Sequence, residues 1–188
     1  MRITTKPLIS SFMAELDKHT PKLLALMRAK GGVQGKKIKE VMKVLDENQN
    51  INMPVSTRRE VILLGQCAYL NEDSTSLVKE YLDSEEDKII TGEVKRTMGI
   101  FIIRREGVTN EMPADVGITL EGTEVINNLD RLAVAVALLF GLIYALNMNY
   151  PKNPRYFFEV IQKVFMGLDE EHLTPKVQAL KNKLFFVI

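Results

Sequence analysis

Tryptophan is absent from the chain, cysteine occurs once and histidine twice. A single thiol, Cys67, excludes an internal disulfide framework and any multi-cysteine zinc or iron–sulfur centre. Two imidazoles, His19 and His172, leave little material for metal chemistry, so no metal or cofactor is expected. Missing too is an apolar run of membrane length. The most apolar stretch, residues 132–146 (LAVAVALLFGLIYAL), spans about 22 Å as a helix, against a bilayer core of about 30 Å. It reads as a buried central helix, and no membrane partner is expected. No apolar run behind the opening residues MRITTK is long enough for a secretory signal. With the lone thiol, this favours an intracellular location without choosing between cytoplasm and nucleus.

What is present suits a soluble globular chain. Its 188 residues are 46% hydrophobic and 26% charged, with a mean hydropathy of −0.03. That excludes a collagen-like, low-complexity or wholly disordered chain, which could not bury enough apolar surface to offset chain entropy. The net charge of +1 hides a division. Residues 1–46 carry ten Lys/Arg against four Asp/Glu, whereas residues 71–93 carry two against eight. Such blocks face each other in the fold or across a dimer, or mark separate surfaces for anions and for basic partners. Solvated helix faces are the plainest account.

Periodicity organises the chain. Leu8, Ile9, Phe12, Met13 and Leu16 predict a helix over 8–18. Thr20-Pro21 then has the form of a new cap, opening a second helix that stops at Gly31-Gly32. A third helix, 35–46, places Ile38, Val41, Met42 and Leu45 inward and Lys36, Lys39 and Lys43 outward. Residues 47–56 read as a loop, 58–65 as a helix, and the spacing of Leu77, Val78, Tyr81 and Leu82 as another short helix. The period then changes to that of strands at 98–103 and 116–120, joined as an antiparallel hairpin, with a weaker third strand near Ile89-Ile90. After the apolar helix, Pro151 and Pro154 precede an amphipathic helix over 155–168, with Phe157, Phe158, Ile161, Val164, Phe165 and Leu168 inward. Thr174-Pro175 opens the last helix. The expected fold is α+β: one domain over 1–188, mostly helical, with a small antiparallel hairpin or sheet around a buried apolar helix. Its parts are a helical segment 7–83, a hairpin 96–121 and a helical segment 128–186.

The motifs carry little chemistry. Gly31-Gly-Val-Gln-Gly35-Lys36-Lys37 has the look of a phosphate loop but fails as one. A Walker motif needs glycine where Lys30 stands and serine or threonine where Lys37 stands. What remains is a glycine turn beside a basic helix. Arg28, Lys30, Lys36, Lys37, Lys39 and Lys43 are the candidate polyanion-binding residues, although no aromatic side chain interleaves them to stack bases. Ser76 and Lys79 match a serine–lysine spacing whose companion elements are missing. Glu170-Glu171-His172 reads as a surface turn, His19 as a helix-end residue and Cys67 as buried packing. Tyr144, Tyr150, Tyr156, Phe157 and Phe158 cluster around the double-proline turn, as core or as a docking groove for a peptide.

Residues 139–147 (LFGLIYALN), Tyr150-Pro151-Lys152 and residues 155–163 (RYFFEVIQK) resemble a many-membered family of uncharacterised animal proteins. Some of its members are similar to the carboxy-terminal region of sterile alpha motif domain-containing proteins. Lys30-Gly31-Gly32, Gly35-Lys36, Arg58-Arg59 and residues 68–72 (AYLNE) resemble its upstream part. At Gln66-Cys67-Ala68 the chain departs from the proline-containing turn commoner there. The resemblance implies no catalytic residues and carries over no sterile alpha motif.

The expected function is that of a non-enzymatic protein-interaction module, with a protein partner or self-association. Nucleic-acid or polyanion binding through residues 28–43 is the alternative. An enzyme built from scattered acids such as Glu121 and Glu124 is a third reading, and no small-molecule substrate is identified.

Overall fold

The computed structural model describes residues 2–3, 6–47, 53–85, 98–107 and 113–186. After a two-stranded ribbon of β1 (Arg2–Ile3) and β2 (Lys6–Pro7), helix α1 runs over Leu8–Arg28 without a break. The cap expected at Thr20-Pro21 is not there. Leu8, Phe12, Leu16, His19, Leu23 and Met27 form one buried stripe that continues past the proline, which itself is exposed. The Thr20 hydroxyl donates to the Leu16 carbonyl at 2.8 Å instead of capping a new helix. Burial on both sides of Pro21 outweighs the hydrogen bond the proline cannot make.

Gly32, at φ +70°, turns the chain into α2 (Gly32–Glu47). Here the glycine motif finds its structural use. A side chain at Gly35 would overlap the Lys30 carbonyl, so the corner requires glycine where the phosphate-loop pattern has it. Helix α3 spans Val55–Tyr69, four residues beyond its expected end, so Gln66, Cys67 and Ala68 are helical and buried. Arg59 of α3 grips Asp17 of α1 through two nitrogens at 2.9 and 2.6 Å.

Residues 78–82 form a strand, not the expected helix. After a single turn at Ser74–Ser76, β3 (Val78–Leu82) pairs in parallel with β4 (Met98–Arg104). Apolar residues four and five apart fit a helix, yet an exposed edge of β4 offers these residues a ladder of backbone hydrogen bonds. In it Val78 faces the main core and Tyr81 the other side of the sheet. β5 (Asp115–Leu120) returns antiparallel to β4, as expected. A strand the sequence analysis did not contain, β6 (Thr123–Leu129), follows through Glu121-Gly122. Both turn residues have positive φ, the geometry of a tight two-residue hairpin. The sheet order is β3-β4-β5-β6, so the sheet is mixed. The weak strand near Ile89-Ile90 lies outside the described residues.

Helix α4 (Leu132–Ala145) packs against α1, α3 and the inner face of the sheet. Ala135, Ala137, Leu139 and Phe140 are fully buried. One side stays open, however. Val134, Leu138 and Leu142 are half-buried, and Leu146 beyond the helix end is 60% exposed. Helix α5 (Arg155–Val160) runs on into a π-turn at Ile161–Phe165, and α6 (Pro175–Phe186) closes the chain. One contiguous core joins side chains from Leu8 to Leu184, the α+β architecture of a single packed unit. Among the described residues, no helix is long and apolar enough to cross a membrane.

Candidate functional site

Two regions gather polar groups, and they differ in what those groups do. The first is a cleft of about 180 Å³ over the π-turn, lined by Tyr150, Glu159, Gln162, Lys163 and His172 among others. π-turns inside helices often mark functional positions. Glu159 is buried, at 5% exposure, yet both its oxygens are engaged: one accepts the Thr174 N–H and the other the Thr174 hydroxyl, each at 2.8 Å. The Lys163 ammonium lies 3.7 Å from Glu159 and donates to the His172 carbonyl at 3.1 Å. Tyr150 donates to Gln162 at 2.5 Å, and Gln162 donates onward to Asp169 at 2.7 Å. Burial and then the carboxylate of Asp169 push the Tyr150 phenol well up, so it stays protonated and donates. Together these bonds brace the turn 167–172, where Gly167, Asp169 and His172 all have positive φ.

The side chains of Glu170, Glu171 and His172 do not converge. Glu170 pairs with Lys181 at 2.7 Å, while Glu171 and His172 are exposed and offer Lys163 their backbone carbonyls. Ser76 bonds the carbonyls of Asp73 and Asn153, and Lys79 lies over the Tyr81 ring, so no serine–lysine pair forms. Glu121 and Glu124 sit exposed on the β5–β6 hairpin. Cys67 is buried, and burial raises its thiol well above the usual range, with Glu72 and Asp73 adding to it. His19 is not a helix-end residue. It lies mid-helix at 4% exposure, stacked on Phe165 at 5.6 Å and edge-on to Phe185 at 5.1 Å.

The second region holds part of the basic segment. The six candidate cations do not act together. Arg28 pairs with Asp46 at 3.3 Å and Lys43 with Glu40 at 2.8 Å, while Lys36, Lys37 and Lys39 project from the exposed side of α2. Lys30 turns to an aromatic ring, its ammonium 5.1 Å from the centre of Tyr69 at the end of α3. The far end of the chain arrives at the same ring. Lys183 of α6 lies 5.9 Å from its centre and donates to its hydroxyl at 3.2 Å. At the start of α6, Lys176 stands 4.3 Å over the Tyr156 ring and donates to the Leu70 carbonyl, and Arg155 lies 5.9 Å from that ring. Of the aromatic cluster expected as core, Phe157 and Phe158 are buried, and Tyr144, Tyr150 and Tyr156 pack against the core, Tyr156 with its ring also meeting these cations. Sequence reasoning missed Tyr69, Lys176 and Lys183, and named Tyr156 without its cations, because no local spacing connects these residues to 28–43.

Glu72 holds this surface in place. Its two oxygens accept the N–H groups of Tyr156 and Phe157 at 2.7 and 2.8 Å, and burial raises its pKa while those bonds and Lys176 lower it. Comparison with protein-family models, with curated proteins and with solved structures finds no match for this chain.

Proposed function

We propose that the chain is a non-enzymatic interaction module whose partner is a polyanion. One observation carries this reading: Lys30 and Lys183 flank Tyr69, Lys176 and Arg155 flank Tyr156, and among the described residues none of the four cations lies in an ion pair. In the π-turn cleft, whose rim Arg155 also reaches, Tyr150, Glu159, Gln162, Lys163 and Thr174 are engaged within the protein. Unpaired cations on a folded surface attract polyanions through release of counterions, so affinity depends steeply on salt. The test is binding of the protein to inorganic polyphosphate across a salt series. Binding at low salt that weakens steeply as salt rises is expected, and no binding at about 50 mM salt would overturn the reading.

A second reading, self-association, is favoured by the open side of α4. Val134, Leu138, Leu142 and Leu146 recur every fourth residue, and such a ridge can interdigitate with its own copy about a twofold axis. Light scattering should then report a dimer that Leu142→Glu together with Leu146→Glu converts to monomer. A parent protein that is monomeric at all concentrations would dismiss it. The resemblance to proteins similar to the carboxy-terminal region of sterile alpha motif proteins accords with either kind of module.

A further inference from the structure

We infer that the surface along α6 is a binding site for single-stranded nucleic acid, with Tyr69 and Tyr156 as its stacking stations. The inference rests on the polyanion reading and names its ligand. Lys176 and Lys183 lie seven residues apart on α6, about 10 Å along its axis. Each stands by a different tyrosine, and Lys30 and Arg155 stand by the same two rings. Each ring is therefore flanked by two cations, and α6 supplies one of them to each. Both rings are half-buried and the cations other than Lys30 are exposed, so the rings are held while the charges reach solvent. The Tyr69 hydroxyl accepts from Lys183 and keeps its own proton free to donate to a phosphate oxygen. The Glu72 carboxylate is fixed in place by two backbone N–H groups, which spread its charge without removing it.

Charge alone does not choose this ligand; the tyrosines do. Duplex DNA presents a higher density of phosphate than a single strand, so a purely electrostatic surface favours the duplex. Bases stacked inside a duplex offer no face to a protein ring, whereas unpaired bases stack on aromatic side chains. An acidic peptide would use the lysines and gain little from the rings.

The experiment measures fluorescence anisotropy of a labelled oligothymidylate, a labelled duplex of equal length and labelled poly-glutamate, all at one ionic strength. The single strand should bind at least about tenfold tighter than either of the others. Tyr69→Leu together with Tyr156→Leu should remove that preference, and Tyr69→Phe with Tyr156→Phe should keep it, which separates loss of the rings from loss of the fold. Lys176→Ala with Lys183→Ala should lower the salt slope by about 1.4, the share of two phosphates on a single strand. Reversing Lys36, Lys39 and Lys43 should leave the preference intact. Duplex or poly-glutamate binding as tight as the single strand, or a preference that survives the leucine pair, overturns the inference and leaves the polyanion reading standing. Absence of binding to polyphosphate and to all three probes overturns both.

Discussion

A methyl group added at Gly117 would overlap the Phe101 ring and stand 2.7 Å from the carbonyl oxygen of Ile126. Phe101 and Gly117 are cross-strand partners on the outer face of the sheet, so the ring lies over the space that glycine leaves. The ring could swing aside, but the β6 backbone could not without losing its pairing. Gly117→Ala should cost about 1–3 kcal/mol, read as a lower midpoint in denaturant. His19 makes a different demand. Burial, then the Lys18 ammonium, hold its pKa below the ordinary imidazole value, and Glu15 at 3.5 Å pulls only partly the other way. The folded chain therefore takes up this proton at lower pH than the unfolded chain does. The contribution of His19 to stability is complete above about pH 6.5 and is lost as pH falls through the window beneath it. The melting temperature should drop less between about pH 7.5 and about pH 5 in His19→Gln than in the parent. Equal slopes would mean that another group titrates. Neither residue declares its role in the sequence, since the demand on Gly117 comes from a partner strand and that on His19 from the π-turn and α6.

Elements with one clear period were legible, and those with two were not. The apolar run 132–146 predicted α4 to within a residue. An all-apolar helix carries no period of its own, so which side stays open could not be read from it. Leu139, with no exposed surface, should cost about 2–5 kcal/mol on replacement by alanine, whereas Leu138 on the open side should cost less than about 2. Paired melting curves of the two variants check this, and equal shifts would mean that the open side is filled in solution. Residues 77–82 were misread because their spacing suits a helix as well as a strand, and only the edge of β4 decides. β6 was missed because Thr123-Glu-Val-Ile-Asn-Asn-Leu129 lacks alternation, although the Glu121-Gly122 turn was a local signal for a hairpin. Pro21 signals a break in α1 locally, whereas the buried stripe that continues past it holds the helix in one piece.

Across the whole molecule, the described residues of the two charged blocks are paired within the fold rather than with each other. Arg28 meets Asp46 within the first block, and Glu80 of the second is taken by Arg104, which also reaches Glu60 on α3. The candidate site was legible only as charge. Lys30 stood among the expected cations, but its ring arrives from residue 69, and Lys183 lies 114 residues from the tyrosine it touches. Contacts of that span follow from the tertiary fold and leave no local pattern. The same long-range packing ties the helical parts and the sheet into one core. Circular dichroism and tyrosine absorbance should then trace coincident unfolding curves. Curves that separate would show the sheet and the helices coming apart independently.

The lone thiol turns this cooperativity into a clock. Cys67 is 1% exposed in the last turns of α3, two residues before Tyr69. A thiol reagent can reach it only when this end of the helix opens. Labelling of the native protein should therefore be slower than that of a short peptide by the factor that measures the opening equilibrium, with no need of an introduced probe. A ligand seated on Tyr69 closes the same door. The labelling rate should fall as an oligonucleotide is titrated in, so the thiol would report occupancy of a surface it never touches.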